Sequence, residues 1–515
     1  MKNVITLYFL THIPNKSNPM PVRPRPLWTG FSYFQHQLDG IEWMLNKEIN
    51  GTFVPNRENN GTTLVRGGFQ CDEMGLGKTI QISSVIVNNP LPYTLLIAPL
   101  AMISTWSEVL QKTGCAVYEV VNGGWALVGD GPIPRHFIKN RPAIYISNYE
   151  KLYSKPSLFQ RAWDRCVLDE AHKIRNGDGE VARSCRKIAA PIRWAVTGTP
   201  LVNSLKDVVS LLAFLGVPHS KLWRWEPRYL RILPELVIHR SLAALRDILK
   251  EAPPVPVIHN VVLPFTSHAE EEFYFGVQGA NESLIKKYSK ELISPTEAFK
   301  LLLRLRQISV HPQVYINSKR RQDIGYNREN WVAPSSKLEK IKEIIQADNM
   351  NSESEGAIAD KTHKYIIFCQ FNDEMSLIRE FIMSDGLVAD ENILLYNGSM
   401  NQAEREAVLK RSKTTTETTV LLLQLQAGGV GLNLQEYDRI IFVSPWWTSA
   451  LMDQAIARAV RMGQKEIVHV YHLRLAAESA TTGDAVNIDE LINAKAEEKR
   501  KMLEKLFVLC SQDDN

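Results

Sequence analysis

No Cys-x-x-Cys pair occurs in this sequence, and its six cysteines (Cys71, Cys115, Cys166, Cys185, Cys369 and Cys510) are widely scattered. That spacing argues against a zinc site and against a disulfide framework, and it fits a reducing compartment. An excess of charge of one sign is also lacking: the formal net charge is only +4. A field that weak excludes wholesale coating of nucleic acid, so any such binding must come from local patches. No apolar run approaches the length of a membrane span. The stretch from Val4 to Leu10 has the apolar character of a signal segment, but it lacks a small-residue cleavage site and runs into the proline-rich Pro14 to Pro26; it reads as a strand or a loose tail. No short-period repeat is present. The expectation is a soluble intracellular protein without zinc or a membrane anchor.

What is present is an ordinary globular composition, 44% hydrophobic and 23% charged over 515 residues, enough for about two to four domains that each bury a core. After the proline-rich tail (1–30), short apolar runs alternate with helical patterns. Strands are predicted at Tyr93–Ala98, Ala143–Ser147, Arg165–Leu168 and Trp194–Thr197, which defines a first α/β lobe over 31–216. From 217 to 335 the pattern turns helical (Leu242–Lys250, His268–Tyr288, Thr296–Ile308), broken by Pro253-Pro254 and by a basic loop at Lys319-Arg320-Arg321. A second α/β lobe spans 336–480, with strands at Tyr365–Cys369, Ile393–Leu395, Val420–Leu423 and Arg439–Val443, and with Met350–Lys361 as an exposed loop. An amphipathic helix occupies the C-terminal segment, 481–515. Strands alternating with helices predict parallel sheets covered on both faces, with ligands at the carboxyl ends of the strands.

The chemistry is carried by a few short stretches. Asp72-Glu73-Met74-Gly75-Leu76-Gly77-Lys78-Thr79 follows a short apolar and small-residue run and opens into a helical pattern, the context of a phosphate-binding loop. Glycines let backbone N–H groups close on phosphate oxygens, Lys78 reaches the terminal phosphates and the Thr79 hydroxyl holds Mg²⁺. The usual leading glycine is missing; Asp72 stands there. Strand Arg165–Leu168 leads into Asp169-Glu170-Ala171-His172, where Asp169 is placed to hold Mg²⁺ and Glu170 to orient and deprotonate a water. Thr197-Gly198-Thr199-Pro200 is a small polar turn suited to sensing the γ-phosphate. Arg458 and Arg461 lie three apart, so on a helix they would project from one face, and such a pair can stabilise charge on a transferring phosphoryl group.

Taken together and in this order, these stretches resemble the Swi/Snf-type ATPases of helicase superfamily two, in the compact form without a RING insertion. The resemblance covers about residues 31–475. Gln37, in His36-Gln37-Leu38-Asp39-Gly40 with Trp43, resembles the adenine-reading Q motif, and Asp72–Thr79 has the family's form of the loop, leading Asp included. Leu96-Ile97-Ala98-Pro99-Leu100 with Thr105-Trp106 resembles motif Ia, Asp169–His172 the Walker B box, and Thr197–Pro200 motif III. Ile238-His239-Arg240 and Leu303-Arg304-Leu305-Arg306-Gln307 with His311-Pro312 resemble linker elements. Ile367–Phe371 is similar to motif IV, and Tyr396–Met400 to the family's Asp-Gly-Ser turn with Asn397 for Asp. Gln426–Leu434 is similar to motif V, and Ser444-Pro445-Trp446-Trp447 precedes the motif VI arginines. Val460, Gln426 and Ser444 depart from the usual residues, which bears on coupling and DNA affinity rather than on hydrolysis.

The resemblance implies two RecA-like lobes in tandem, a helical linker and a C-terminal brace-like helix. It implies a DNA-dependent ATP hydrolase that uses Mg²⁺, holds its nucleotide between the lobes and translocates on double-stranded DNA in chromatin remodelling. DNA contacts are expected at Thr105, Gly428, Gly429 and Trp446. Backbone contacts of that kind carry no sequence information and weaken with salt. The family's setting implies a nuclear location, or a viral or cytoplasmic site of DNA transactions. The competing readings are a strand-separating helicase or RNA-dependent ATPase, a viral-type nucleoside triphosphatase acting in transcription, and a DNA-binding scaffold with a dead site. With no cysteine between Cys185 and Cys369, a zinc-binding insertion in the linker is not expected.

Overall fold

The computed structural model describes residues 24–56, 61–128, 141–246, 249, 252–280, 294–354, 362–428, 432–476 and 487–510. The expected Val4–Leu10 strand or tail and the glycines at 429 and 431 lie outside these. By internal contacts the chain divides into two units, Met1–Ala252 with Lys499–Asn515, and Pro253–Glu498.

In the first unit the strands β1 (Thr52–Asn56), β2 (Gly61–Gln70), β3 (Tyr93–Ala98), β4 (Ala116–Val121), β5 (Gly124–Leu127), β6 (Ala143–Asn148), β7 (Arg165–Asp169) and β8 (Ile192–Val196) form one sheet in the order β1-β2-β8-β7-β3-β6-β4-β5, and β9 (Val237–Ile238) also pairs with β2. The inner pairings are parallel, as with β3 on β7 and β7 on β8. Both ends of the sheet carry an antiparallel hairpin, β1 with β2 and β4 with β5, which the strand–helix alternation did not foretell. Side chains of β3 alternate between two cores: Leu95 and Ile97 join one, Leu96 and Ala98 the other. Helices therefore cover both faces, which is why the central strands read as unbroken apolar runs. Truncating one such residue, Leu95→Ala, would cost about 2–5 kcal/mol.

The second unit holds a fully parallel sheet, β10 (Val257–Leu263), β11 (Lys364–Cys369), β12 (Ile393–Tyr396), β13 (Thr419–Gln424), β14 (Arg439–Phe442) and β15 (His469–Leu475), in the order β10-β15-β14-β11-β13-β12. Here too the core is double: Ile367 and Ile441 face one side, Ile366 and Ile440 the other. The fold class is α/β, two parallel-sheet lobes in tandem along the chain.

The boundaries differ from those read off the sequence. The expected helical insertion at 217–335 is divided at Ala252–Pro253, where Pro253, Pro254 and Pro256 interrupt regular structure; its first part adds β9 to one sheet and its second adds β10 to the other. The basic run Lys319-Arg320-Arg321 is the last turn of a helix, Pro312–Gln322, where cations meet the negative end of the helix dipole. The helix Ser336–Ser354 absorbs the start of the expected exposed loop. The C-terminal helix runs from Ile488 to Cys510. No described helix is long and apolar enough to cross a membrane.

Candidate active site

The phosphate loop leaves the carboxyl end of β2 and enters the helix Lys78–Asn88. Gly75 (φ 90°) and Gly77 (φ 79°) take left-handed backbone conformations, which a residue with a Cβ adopts only at a cost. At Gly77 a Cβ would also stand 2.5 Å from Gln37 Nε2. Gln37 is folded against the loop: its Oε1 accepts from Phe34 N at 3.2 Å and its Nε2 donates to Leu76 O at 3.5 Å. Leu76 is buried, Met74 and Thr79 are half-buried, and Glu73 and Gly75 are exposed.

Lys78 Nζ donates to two loop carbonyls, Asp72 O at 2.7 Å and Glu73 O at 3.2 Å. Burial pulls its ammonium below the ordinary lysine range, opposed by the charges of Glu170, Asp72 and Asp169. The turn after β8 closes this side, with Gly198 so near that a Cβ there would lie 3.6 Å from Lys78 Nζ.

Asp72, grouped with the nucleotide-binding residues by its position, has a fully buried carboxylate engaged by protein. Arg240 grips it with two nitrogens (2.9 and 2.5 Å), and Gln70 and Gln81 each donate to Oδ2 at 2.9 Å. Burial alone would raise its pKa; the Arg240 guanidinium, then Gln70 and Gln81, hold it below the usual carboxylate range. Arg240 also donates to Gln81 Oε1 (2.9 Å) and to His36 O. Gly40 makes this possible, because a Cβ there would collide with Gln81 and Arg240. A leading acid in this loop therefore serves to hold the loop.

Asp169 ends β7 and Glu170 follows in a left-handed conformation (φ 49°), a strained state of the kind that clusters at functional sites. Trp106, fully buried, donates Nε1–H to Asp169 Oδ2 at 2.8 Å, Glu170 N donates to Oδ1 at 3.0 Å, and Tyr149 O–H donates to the Asp169 carbonyl at 2.7 Å. Burial and then the Glu170 charge push the Asp169 carboxyl up to about 6. The Asp169 and Glu170 carboxylates are hard oxygen donors, a set whose chemistry fits a divalent cation such as Mg²⁺. His172 Nδ1 lies 3.4 Å from Glu170 Oε2 and 3.2 Å from Thr197 Oγ1; Thr197 Oγ1 in turn accepts from Thr199 N at 3.1 Å. The ends of β7 and β8 are thus joined by side chains. Thr105 is exposed on the helix Ile103–Lys112, one residue before the buried Trp106.

In the second unit the helical spacing expected of Arg458 and Arg461 does not hold. The helix Ser449–Ile456 ends before them, and both lie on the turns that follow. Arg458 is buried, its carbonyl accepting from Leu434 N at 3.1 Å. Arg461 is half-buried, burial lowers its pKa, and among the described residues it forms no salt bridge. Gln464 fixes the turn through Gln435 O (2.8 Å) and Tyr437 O (3.2 Å). Trp446 is half-buried with the Arg306 guanidinium 4.7 Å from its ring centroid, while Trp447 packs against Leu301, Leu305 and Ile492. Gly428 closes a short helix, Leu425–Gly428.

A family model described as the SNF2-related domain matches residues 36–314, and one described as the helicase conserved C-terminal domain matches residues 336–463. The chain belongs to the SNF2-related family. As an SNF2-related protein it is a helicase-like ATP hydrolase. It is similar to the "Probable global transactivator" of Orgyia pseudotsugata multicapsid polyhedrosis virus, at 26% identity over 92% of this chain and 91% of the viral one. It is also similar to the DNA repair protein RAD5B of Arabidopsis thaliana, 25% identical over 79% of this chain and 44% of that one, and to the chromatin remodeling factor mit1 of Schizosaccharomyces pombe, 26% over 85% and 31%. The chain thus spans nearly all of the viral relative and less than half of these two cellular ones. A solved SWI2/SNF2 ATPase core of Sulfolobus solfataricus, in complex with dsDNA, is 22% identical over 94% of each chain, with a TM-score of 0.37.

Tyr149 and Gln81 carried no expected role, and Trp106 and Arg240, though inside stretches that resemble motif Ia and a linker element, were not expected to hold Asp169 and Asp72. Arg240 lies 168 residues from Asp72 and Trp106 lies 63 from Asp169, separations at which no local spacing rule operates.

Proposed function

We propose that this SNF2-related ATPase is a sequence-independent translocase on double-stranded DNA, of the chromatin-remodelling type. The observation that carries the reading is the convergence of Lys78, Asp169, Glu170, His172 and Thr197 at the carboxyl ends of β2, β7 and β8: His172 Nδ1 faces both Glu170 and Thr197, and the turn after β8 approaches Lys78 at Gly198. Lys78 leaves its two carbonyls to hold the terminal phosphates. Thr79 and Asp169 would hold Mg²⁺, with the Trp106 indole and the Glu170 N–H orienting the Asp169 carboxylate. Glu170 takes the proton of the attacking water, and Gln37 reads the base. Mg²⁺, when bound, neutralises phosphate charge and polarises the bond that breaks. Arg458 and Arg461 stabilise the charge of the transferring phosphoryl group, a contribution of about 10³–10⁵ in rate where such fingers operate. Thr105, Gly428, Gly429 and Trp446 meet the DNA backbone, so binding falls as salt rises. DNA stimulates turnover by favouring the conformation in which the arginines act.

A second reading has its own support. The viral transactivator is matched across nearly its whole length, which supports a compact viral-type nucleoside triphosphatase acting in transcription. The deciding experiment compares ATPase rates with no nucleic acid, single-stranded DNA, duplex DNA, RNA and nucleosomes, alongside displacement of a triplex-forming strand. Stimulation by duplex DNA with triplex displacement and no unwinding supports translocation. Stimulation by RNA alone, or separation of duplex strands, rejects it.

A further inference from the structure

Beyond β9 the chain straps the outer side of the phosphate loop. Cys71 N donates to Ile238 O at 2.8 Å, Glu73 N donates to Arg240 O at 2.9 Å, and Leu242 N donates to Glu73 Oε2 at 2.7 Å. His239 Nδ1 sits 2.8 Å from Cys71 O; a carbonyl only accepts, so Nδ1 carries the hydrogen. The residues held in this way, Cys71 to Glu73, include the two whose carbonyls hold Lys78 Nζ. The strap therefore sets the position of the Lys78 ammonium through one short stretch of backbone.

The His239 ring has a partner on its other side. Phe507, on the C-terminal helix, stacks flat against it with ring centroids 3.5 Å apart and planes 4° apart. The same turn of that helix is anchored in the first unit's core by buried Leu506, with Met502 and Leu503 packed beside it. A flat stack restricts rotation of the imidazole, and the direction of its Nδ1–H depends on that plane.

We infer that Phe507 is a positioning residue for the phosphate loop: it holds the His239 plane, His239 holds Cys71 O, and the loop so fixed presents Lys78 to the nucleotide. The C-terminal helix thereby tunes ATP affinity while contributing no atom to the site. This rests on the ATPase reading of Lys78.

The test uses the full chain, with steady-state ATPase at varied ATP and direct binding of a fluorescent ATP analogue. Phe507→Ala and Phe507→Leu should raise KM for ATP and weaken analogue binding by about 2- to 10-fold, the span of an aromatic pair's energy, with kcat little changed. Phe507→Tyr, which keeps the flat ring, should restore both. His239→Phe keeps the stack but loses the N–H and should raise KM to the same degree, and the double variant with Phe507→Ala should be no worse than either alone, because both break one relay. If Phe507→Ala does not fold, Phe507→Leu and Phe507→Tyr carry the comparison. Phe507→Leu with wild-type KM and only a lower Tm would make the contact plain packing and overturn the inference, as would additive KM effects in the double variant. A wild-type chain that binds and hydrolyses no ATP would instead sink the functional reading itself.

Discussion

Trp106 Nε1 donates to Asp169 Oδ2 at 2.8 Å from a fully buried indole. This occupies one carboxylate oxygen and favours the ionised form, opposing the burial and the Glu170 charge that together leave the Asp169 carboxyl at about 6. Replacing Trp106 by Phe keeps most of the apolar packing and removes the donor. Outer partners of metal ligands are typically worth about 10–100-fold in metal affinity. The Mg²⁺ concentration for half-maximal ATPase should rise by about 10-fold or more in Trp106→Phe. An unchanged Mg²⁺ titration would assign the indole to packing alone.

Lys78→Ala leaves Asp72 O and Glu73 O without their ammonium partner and removes the only cation in the loop. ATP hydrolysis should fall by about 10²-fold or more, as for loss of a preorganised donor, while duplex-DNA binding by the purified chain is retained. Wild-type turnover in this variant would remove Lys78 from the mechanism.

Arg461 is a half-buried guanidinium on a turn, with no salt bridge recorded among the described residues and a pKa lowered by burial. A cation desolvated without an anion costs free energy unless something compensates it, and a nucleotide phosphate is the compensation proposed. Arg461→Ala should retain ATP binding and lose DNA-stimulated turnover by about 10³-fold or more. Stimulated turnover within two-fold of wild type, on the scale of these effects, would reject the finger role.

Arg240 shares two hydrogen bonds with the fully buried Asp72. Removing one member of such a pair leaves an uncompensated charge, a cost of about 3–5 kcal/mol. Arg240→Ala should lower Tm by about 6–20 °C in a unit of this size, and Arg240→Lys should recover only part, since an ammonium cannot fork. Gly40→Ala should act in the same direction by crowding that guanidinium. Thermal melts of the three variants check the order.

How much of this was legible beforehand follows from which forces act locally. The central strands β3, β6, β7, β11 and β13 fall within a residue or so of their predicted positions, because strands buried on both faces must be apolar throughout. The hairpins at the ends of the first sheet were missed, since edge strands such as β1 are half polar and short. The loop, Asp169 and Glu170 could be found because the chemistry demands fixed residue types at strand ends. The helical geometry of Arg458 and Arg461 failed because the helix stops at Ile456, and helix ends depend on tertiary packing more than on propensity. Trp106 and Arg240 stood inside recognised stretches, yet their partners are set by topology.

Glu374 offers a test of the second unit that is independent of nucleotide. Its side chain is fully buried; Oε2 accepts from Gln370 N at 2.7 Å and Phe371 N at 3.0 Å. Burial pushes its pKa from 4.5 up to about 7, against those two N–H groups and the charges of Lys337 and Arg306. An acid whose folded pKa is raised favours folding in its protonated form. Its contribution is therefore full below the unfolded value near 4.5 and is lost as pH rises toward 7, with no further change above. Glu374→Gln keeps an oxygen for the same two N–H groups and cannot ionise. Relative to this variant, wild type should lose on the order of 1–3 kcal/mol between pH 4.5 and 7, so the Tm difference in favour of Glu374→Gln should grow across that window and level off at pH 8. If wild type instead gains on the variant as pH rises from 5 to 7, the ionised carboxylate is net favourable there, and Arg306 and Lys337 outweigh its burial.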